Sequence, residues 1–203
     1  AITEYKETFE EYGIMYDEEP SAEQKEIIMA MIKQNYTQTE SKYGSAESFI
    51  DTYYPDCQTI KQVMENTYGQ ENIIYAKGCE IKQSIESGVE AAQVAVSQAD
   101  IVVAVLGGKE SMIDAQATSG ENRDNSNIDL EKPQIELMQA IYTCGKPVVA
   151  VLVDSRPLSM PLVNAQSAAV LYTWVAAQSS AEAIVNVLTG AHNPSGKLPV
   201  TIV

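Results

Sequence analysis

The chain predicts an α/β fold, a three-layer α/β/α sandwich built on a mostly parallel, flavodoxin-like open sheet with a helical N-terminal segment. From about residue 58 onward helix-like and strand-like segments alternate, the pattern of a parallel sheet wrapped by helices. The strand-like runs Ile101–Leu106 and Val148–Val153 are continuously apolar, as strands covered on both faces are. A 45% apolar content over 203 residues supplies a core for one domain and an accessory segment.

Taken in order, Gln58 to Tyr68 carries Ile60, Val63 and Met64 at helical spacing and stops at Gly69. Asn72 to Ala76 reads as a short strand, and Ser87 to Ser97 as a helix with Val89, Ala92 and Val96 on one side. The run 101–106 reads as the central strand. Pro133 to Cys144 is a helix with proline in its first turn, Ile135, Met138, Ile141 and Tyr142 inward, and Gly145 as terminator. Val148–Val153 is a second buried strand; Ala168 to Val175 is the next strand, Ser180 to Leu188 the next helix, and Leu198 to Val203 the last strand. Residues 1–55 differ in character and are expected to form an acidic, tyrosine-rich accessory or inserted segment ahead of a domain over 56–203. Ser21 and Gln24 form a capping box for a helix whose stripe is Ile27, Ile28, Met31 and Ile32, and Tyr36, Tyr43, Tyr53 and Tyr54 punctuate the polar region that follows. Those rings suit either a sugar-facing wall or the cover of a core edge.

The 28 acidic and 13 basic side chains give a formal charge of −15, which repels phosphate backbones and anionic membranes. Neither nucleic acid nor membrane is an expected partner. No apolar run approaches the ~18 residues of a membrane span, and a signal sequence, if the parent protein is secreted, is expected outside this chain. Cys57, Cys79 and Cys144 lack a ligand or pairing pattern and are expected to be buried or half-buried thiols. His192, the sole histidine, sits in a turn, so no metal or cofactor is expected. Gly107-Gly108-Lys109 follows a strand but lacks the full phosphate-loop spacing.

The segment Gly107 to Glu131 is the most informative. Connections in compact domains typically run about 4–6 residues, and a far longer loop is usually functional or disordered. This one leaves the carboxyl end of a buried strand, where open α/β sheets place ligands. Ser119 to Asn127 are turn formers and hydrogen-bonding groups, a surface better suited to a sugar than a lipid, with Glu121 among them. Glu110 and Asp114 are the competing carboxylates of the loop.

The closing string Leu188-Thr-Gly-Ala-His-Asn-Pro-Ser-Gly-Lys-Leu-Pro-Val-Thr-Ile-Val203 resembles the end of the C-terminal α/β sandwich domain of glycoside hydrolase family 3, the β-glucosidase and β-xylosidase family. The likeness extends back, in the family's order, through Lys146-Pro-Val-Val-Ala-Val-Leu-Val with Arg156-Pro157-Leu158, Ala99-Asp-Ile-Val-Val-Ala-Val-Leu-Gly107 and Tyr75-Ala-Lys-Gly-Cys79. It implies a retaining β-glycosidase acting on oligosaccharides or β-glycosides. Ser119-Gly120-Glu121 resembles the loop that carries the family's acid/base, which makes Glu121 the implied proton donor. The nucleophile aspartate is implied to lie on a preceding (β/α)8 barrel domain, so this chain alone is expected to be inactive. The places where many members have Ser-Arg are Asp124 and Asn125, with Arg123 the nearby arginine, and these three are the implied substrate contacts. Two turns lose a glycine, reading Ser155-Arg156-Pro157 and Trp174-Val-Ala-Ala-Gln178, so each is expected to have changed conformation or been compensated. Arg156 is expected to anchor its turn on backbone carbonyls or meet a ligand or loop, and Trp174 to stack on a sugar or fill the core. A non-catalytic carbohydrate-binding or interaction module derived from the same domain is the alternative.

Overall fold

Thr59 starts the first helix, its side chain accepting from the Gln62 amide while the Gln62 side chain returns to the Thr59 amide, so that two otherwise orphaned donors are satisfied. The computed structural model describes residues 56–111, 117–120 and 125–202, which apart from Asp56 fall in one unit, Cys57–Val203. The predicted helix after Ser21 and the tyrosines at 36, 43, 53 and 54 lie outside the described residues.

In chain order the elements are α1 (Ile60–Tyr68), a 3₁₀ turn (Gln70–Asn72), α2 (Gly88–Gln98), β1 (Val102–Gly107), α3 (Lys132–Tyr142), β2 (Val148–Val153), α4 (Pro161–Gln166), β3 (Ala169–Tyr172) and α5 (Ser180–Leu188). The strands form a parallel sheet in the order β1-β2-β3. Val102 pairs with Val148 through to Gly107 with Val153, and Val149 with Ala169 through to Leu152 with Tyr172. Parallel neighbours need crossovers, which α3 and α4 supply.

Strand side chains alternate between faces. Ala104, Leu106, Ala150 and Leu152 join a core with Ala92 and Val96 of α2, Leu137, Met138 and Ile141 of α3, and Val163 of α4. Val151, on the opposite face, is also fully buried. Val63 of α1 packs separately with Ala181 and Val185 of α5. The arrangement is the expected α/β fold, with β2 buried on both faces.

Several expectations require correction. Among the described strands β2 is central and β1 is an edge, and Val105 is 49% exposed, so the run 101–106 is not covered on both faces. Asn72–Ala76 is not a strand: Asn72 and Ile73 spend their amides on Gly69 and Gln70 in the 3₁₀ turn, and Ile74 and Tyr75 project to solvent. β3 ends at Tyr172, three residues short of the predicted strand, and 198–202 pair with no strand among the described residues. α4 was not anticipated; it is a short helix opened by Pro161, burying Val163. The inward stripe of α3 is Gln134, Leu137, Met138 and Ile141, with Ile135 and Tyr142 only half-buried. Cys57 is exposed, while Cys79 and Cys144 are half-buried, and burial raises the Cys79 thiol pKa.

Candidate functional site

The carboxyl ends of β1 and β2 open into a cleft of about 320 Å³, bounded by Gly107, Thr118, Asn125, Asp154, Arg156 and Leu158 among others. Its floor follows from the two strand ends. Gly107 has φ +142°, and a Cβ there would fall 1.9 Å from the Val153 carbonyl oxygen, so the β1 exit can approach β2 only without a side chain. The same holds at Gly108, where a Cβ would lie 2.0 Å from Thr118 Oγ1 and 2.3 Å from Asp154 Oδ2. Gly107-Gly108-Lys109 therefore packs against a carboxylate, which disfavours a phosphate there.

The free side of Gly107 is closed by Gln134. Its Oε1 accepts from the Gly107 amide at 2.9 Å, and its Nε2 donates to the Gly107 carbonyl at 2.8 Å and the Ile81 carbonyl at 3.2 Å. One buried side-chain amide thus supplies the pair of bonds that a neighbouring strand would have made. Sequence reading passed over this residue, although a polar side chain on the i, i+3, i+4, i+7 stripe with Leu137, Met138 and Ile141 was the signal.

Beyond Gly108 the loop folds back on itself. The amides of Thr118 and Ser119 donate to the Lys109 carbonyl at 2.8 and 3.3 Å, the Lys109 amide donates to Thr118 Oγ1 at 3.0 Å, and the Ser111 amide donates to the Ser119 carbonyl at 3.0 Å. From the β2 side, Arg156 Nη2 donates to the Thr118 carbonyl. A guanidinium bond to a buried carbonyl contributes about 1.5–3 kcal/mol. Arg156 thus anchors a neighbouring loop through a backbone carbonyl. Ser119 and Ser155 share a 2.7 Å hydroxyl bond, so the serine that replaces glycine in this turn uses its side chain. Neither Ser155 nor Ala177 has positive φ; both turns have settled where glycine is not required, and Trp174 takes φ +55° instead. Trp174 is half-buried with its ring 6.3 Å from that of Tyr172, outside the packed core.

Asp154 is the buried charge of the cleft, 6% exposed. Burial raises its carboxyl pKa above the ordinary aspartate value; the Arg156 amide bond to Oδ1 (3.1 Å), the Arg156 charge and the Ser155 amide oppose the shift, and Glu110 adds to it. Nothing in the sequence motifs had marked Asp154 beyond its place after a buried strand.

Of the four sequence-stated site residues, Glu121, Arg123 and Asp124 lie outside the described residues, as does the competing Asp114. The loop is described up to Gly120 and again from Asn125. Asn125 lines the cleft, where one Nδ2 hydrogen is committed to the Thr118 carbonyl at 2.7 Å; the amide oxygen and the second N–H are the groups it can offer a ligand. Glu110 is exposed. No group of three His, Cys, Asp or Glu side chains suited to a metal occurs among the described residues. His192 is exposed in its turn.

Comparison with known proteins decides the family. The sequence profile of the glycosyl hydrolase family 3 C-terminal domain matches residues 20–203, beginning inside the segment that the motifs left unplaced. The chain belongs to this family. It is 37% identical over 129 residues to a β-xylosidase of Formosa agariphila, covering 64% of this chain and 17% of that protein. It is 33% identical over 164 residues to the periplasmic β-glucosidase of Salmonella typhimurium, covering 70% and 21%. Among solved structures, a β-glucosidase from Erythrobacter marinus superposes with a TM-score of 0.58 at 30% identity, over 71% of this chain and 22% of that one. A β-glucosidase from Listeria innocua in complex with gluconolactone gives 0.52 at 33% identity, over 59% and 16%. The chain therefore spans about a fifth of the length of these relatives.

Proposed function

We propose that the chain is the family 3 domain, with residues 1–55 as an accessory or inserted segment, that delivers an acid/base carboxyl group, Glu121, to a β-glycoside, the nucleophile aspartate coming from a separate barrel domain. The observation that carries this is the cleft at the carboxyl ends of β1 and β2, lined by Thr118 and Asn125 on the two sides of the Glu121 segment, where Arg156 and Asn125 bond the Thr118 carbonyl and Ser155 bonds Ser119. The names of the relatives, β-xylosidase and β-glucosidase, support a terminal β-linked glucose or xylose as substrate.

In a retaining glycosidase the two carboxyl groups stand about 5–5.5 Å apart. Glu121, protonated, gives its proton to the leaving oxygen as the aspartate attacks the anomeric carbon, then as carboxylate takes a proton from the water that releases the sugar. The first step requires an acid/base carboxyl held protonated at working pH, which partial burial and a neighbouring negative charge produce. Arg123 and Asp124 contact sugar hydroxyls; Asn125, with one N–H already held by the Thr118 carbonyl, contributes its amide oxygen and its second N–H.

The test is to join the chain to a family 3 barrel domain and compare wild type with Glu121→Gln on nitrophenyl β-glucoside and β-xyloside. Loss of an acid/base group costs about 10²–10⁴ in rate. Unchanged turnover in Glu121→Gln removes the catalytic assignment and leaves the non-catalytic module.

A further inference from the structure

Two side chains from different parts of the chain converge on one backbone oxygen beside the Glu121 segment. Asn125, on its far flank, donates Nδ2 to the Thr118 carbonyl at 2.7 Å, and Arg156, from the turn after β2, donates Nη2 to the same oxygen. A carbonyl oxygen has two lone pairs, and both are used. Thr118 and Ser119 are 8% and 6% exposed, so this junction is largely shielded from water. Arg156 is itself fixed: its amide bonds Asp154 Oδ1 at 3.1 Å, and Asp154 Oδ2 is wedged against Gly108. The Ser119–Ser155 hydroxyl bond ties the residue before Gly120 to the same turn.

We propose that Arg156 and Asn125 are positioning residues that fix the flanks on either side of Glu121, Thr118-Ser119 and Asn125, through their shared acceptor, the Thr118 carbonyl. This rests on Glu121 being the acid/base. Neither side chain needs to touch the reacting atoms; they restrict where the segment between Gly120 and Asn125 begins and ends. A proton donor displaced by about 1 Å loses on the order of 10²-fold in rate. The loss falls on leaving groups that require protonation and spares those that depart as stable anions.

Two measurements test the proposal. In the full chain, hydrogen exchange at the Thr118 and Ser119 amides is compared among wild type, Arg156→Met, Arg156→Lys and Asn125→Ala. Exchange about tenfold faster in the Met and Ala variants, with Lys nearer wild type, is expected; unchanged protection overturns the positioning role. In the barrel-joined enzyme, Arg156→Met lowers kcat/KM for a phenyl glycoside by about 10-fold or more while that for a dinitrophenyl glycoside stays close to wild type, and Arg156→Lys recovers part of the loss. An equal fall on both substrates marks a merely structural role and overturns the proposal. Asn125→Ala, at an exposed position, keeps the test open should Arg156→Met fail to fold. Wild-type rates in Glu121→Gln defeat the acid/base reading; an impaired Glu121→Gln beside unimpaired Arg156→Met and Asn125→Ala defeats this proposal alone.

Discussion

Asp154 is a carboxyl group placed where burial opposes its charge, yet within bonding distance of the Arg156 amide. Because its folded pKa is raised, the neutral form suits the folded state: that contribution is full below the unfolded aspartate value and is lost as pH rises through the folded one. The Asp154→Asn side chain stays neutral throughout and can still accept from the Arg156 amide. Urea unfolding of Asp154→Asn and wild type between about pH 3 and 7 is therefore expected to show the variant's relative stability improving as pH rises. A difference that stays flat, or that moves toward wild type, contradicts the burial cause. Asp154 was not legible in the sequence, since an aspartate after a strand reads as a turn residue until the Gly108 backbone is seen against it.

At the scale of the element, the end of β1 depends on a helix. Gln134 fills the hydrogen-bonding positions of Gly107 from the first turn of α3, so strand and helix are joined by a polar contact inside an apolar core. Gln134→Leu keeps the volume but leaves the Gly107 amide and two carbonyls short of partners. Each buried unsatisfied group costs about 1–3 kcal/mol, so a loss of about 2–5 kcal/mol is expected in denaturant melts. A loss under about 1 kcal/mol would show that water reaches Gly107. Val148–Val153 matches its strand residue for residue because a continuous apolar run between Pro147 and Asp154 has one favourable burial. Asn72–Ala76 had the same local appearance but spends its first amides within a 3₁₀ turn, a competition that β propensity does not register.

For the whole molecule, the reading of function predicts that the chain by itself leaves nitrophenyl β-glycosides at the uncatalysed rate, and that a barrel domain supplied in trans or by fusion restores turnover. Activity in the purified chain, abolished by Glu121→Gln, would mean that a second carboxyl group comes from within these residues. Asp154 would be the first to substitute, because it is the buried carboxylate of the cleft.

The two principal strands, the four longer helices and the family were set by local signals: apolar runs, helical spacing, caps and ordered motifs. Only the tertiary structure decided that β2 rather than β1 is central among the described strands, that Gln134 joins the inward stripe of α3, that Asn125 bonds the Thr118 carbonyl, and that Arg156 reaches the same oxygen. Each of those depends on which backbone groups lack a neighbour and which side chain from a distant segment reaches them. The Gln134–Gly107 and Arg156–Thr118 pairings join residues 27 and 38 positions apart, and no local pattern encodes those meetings.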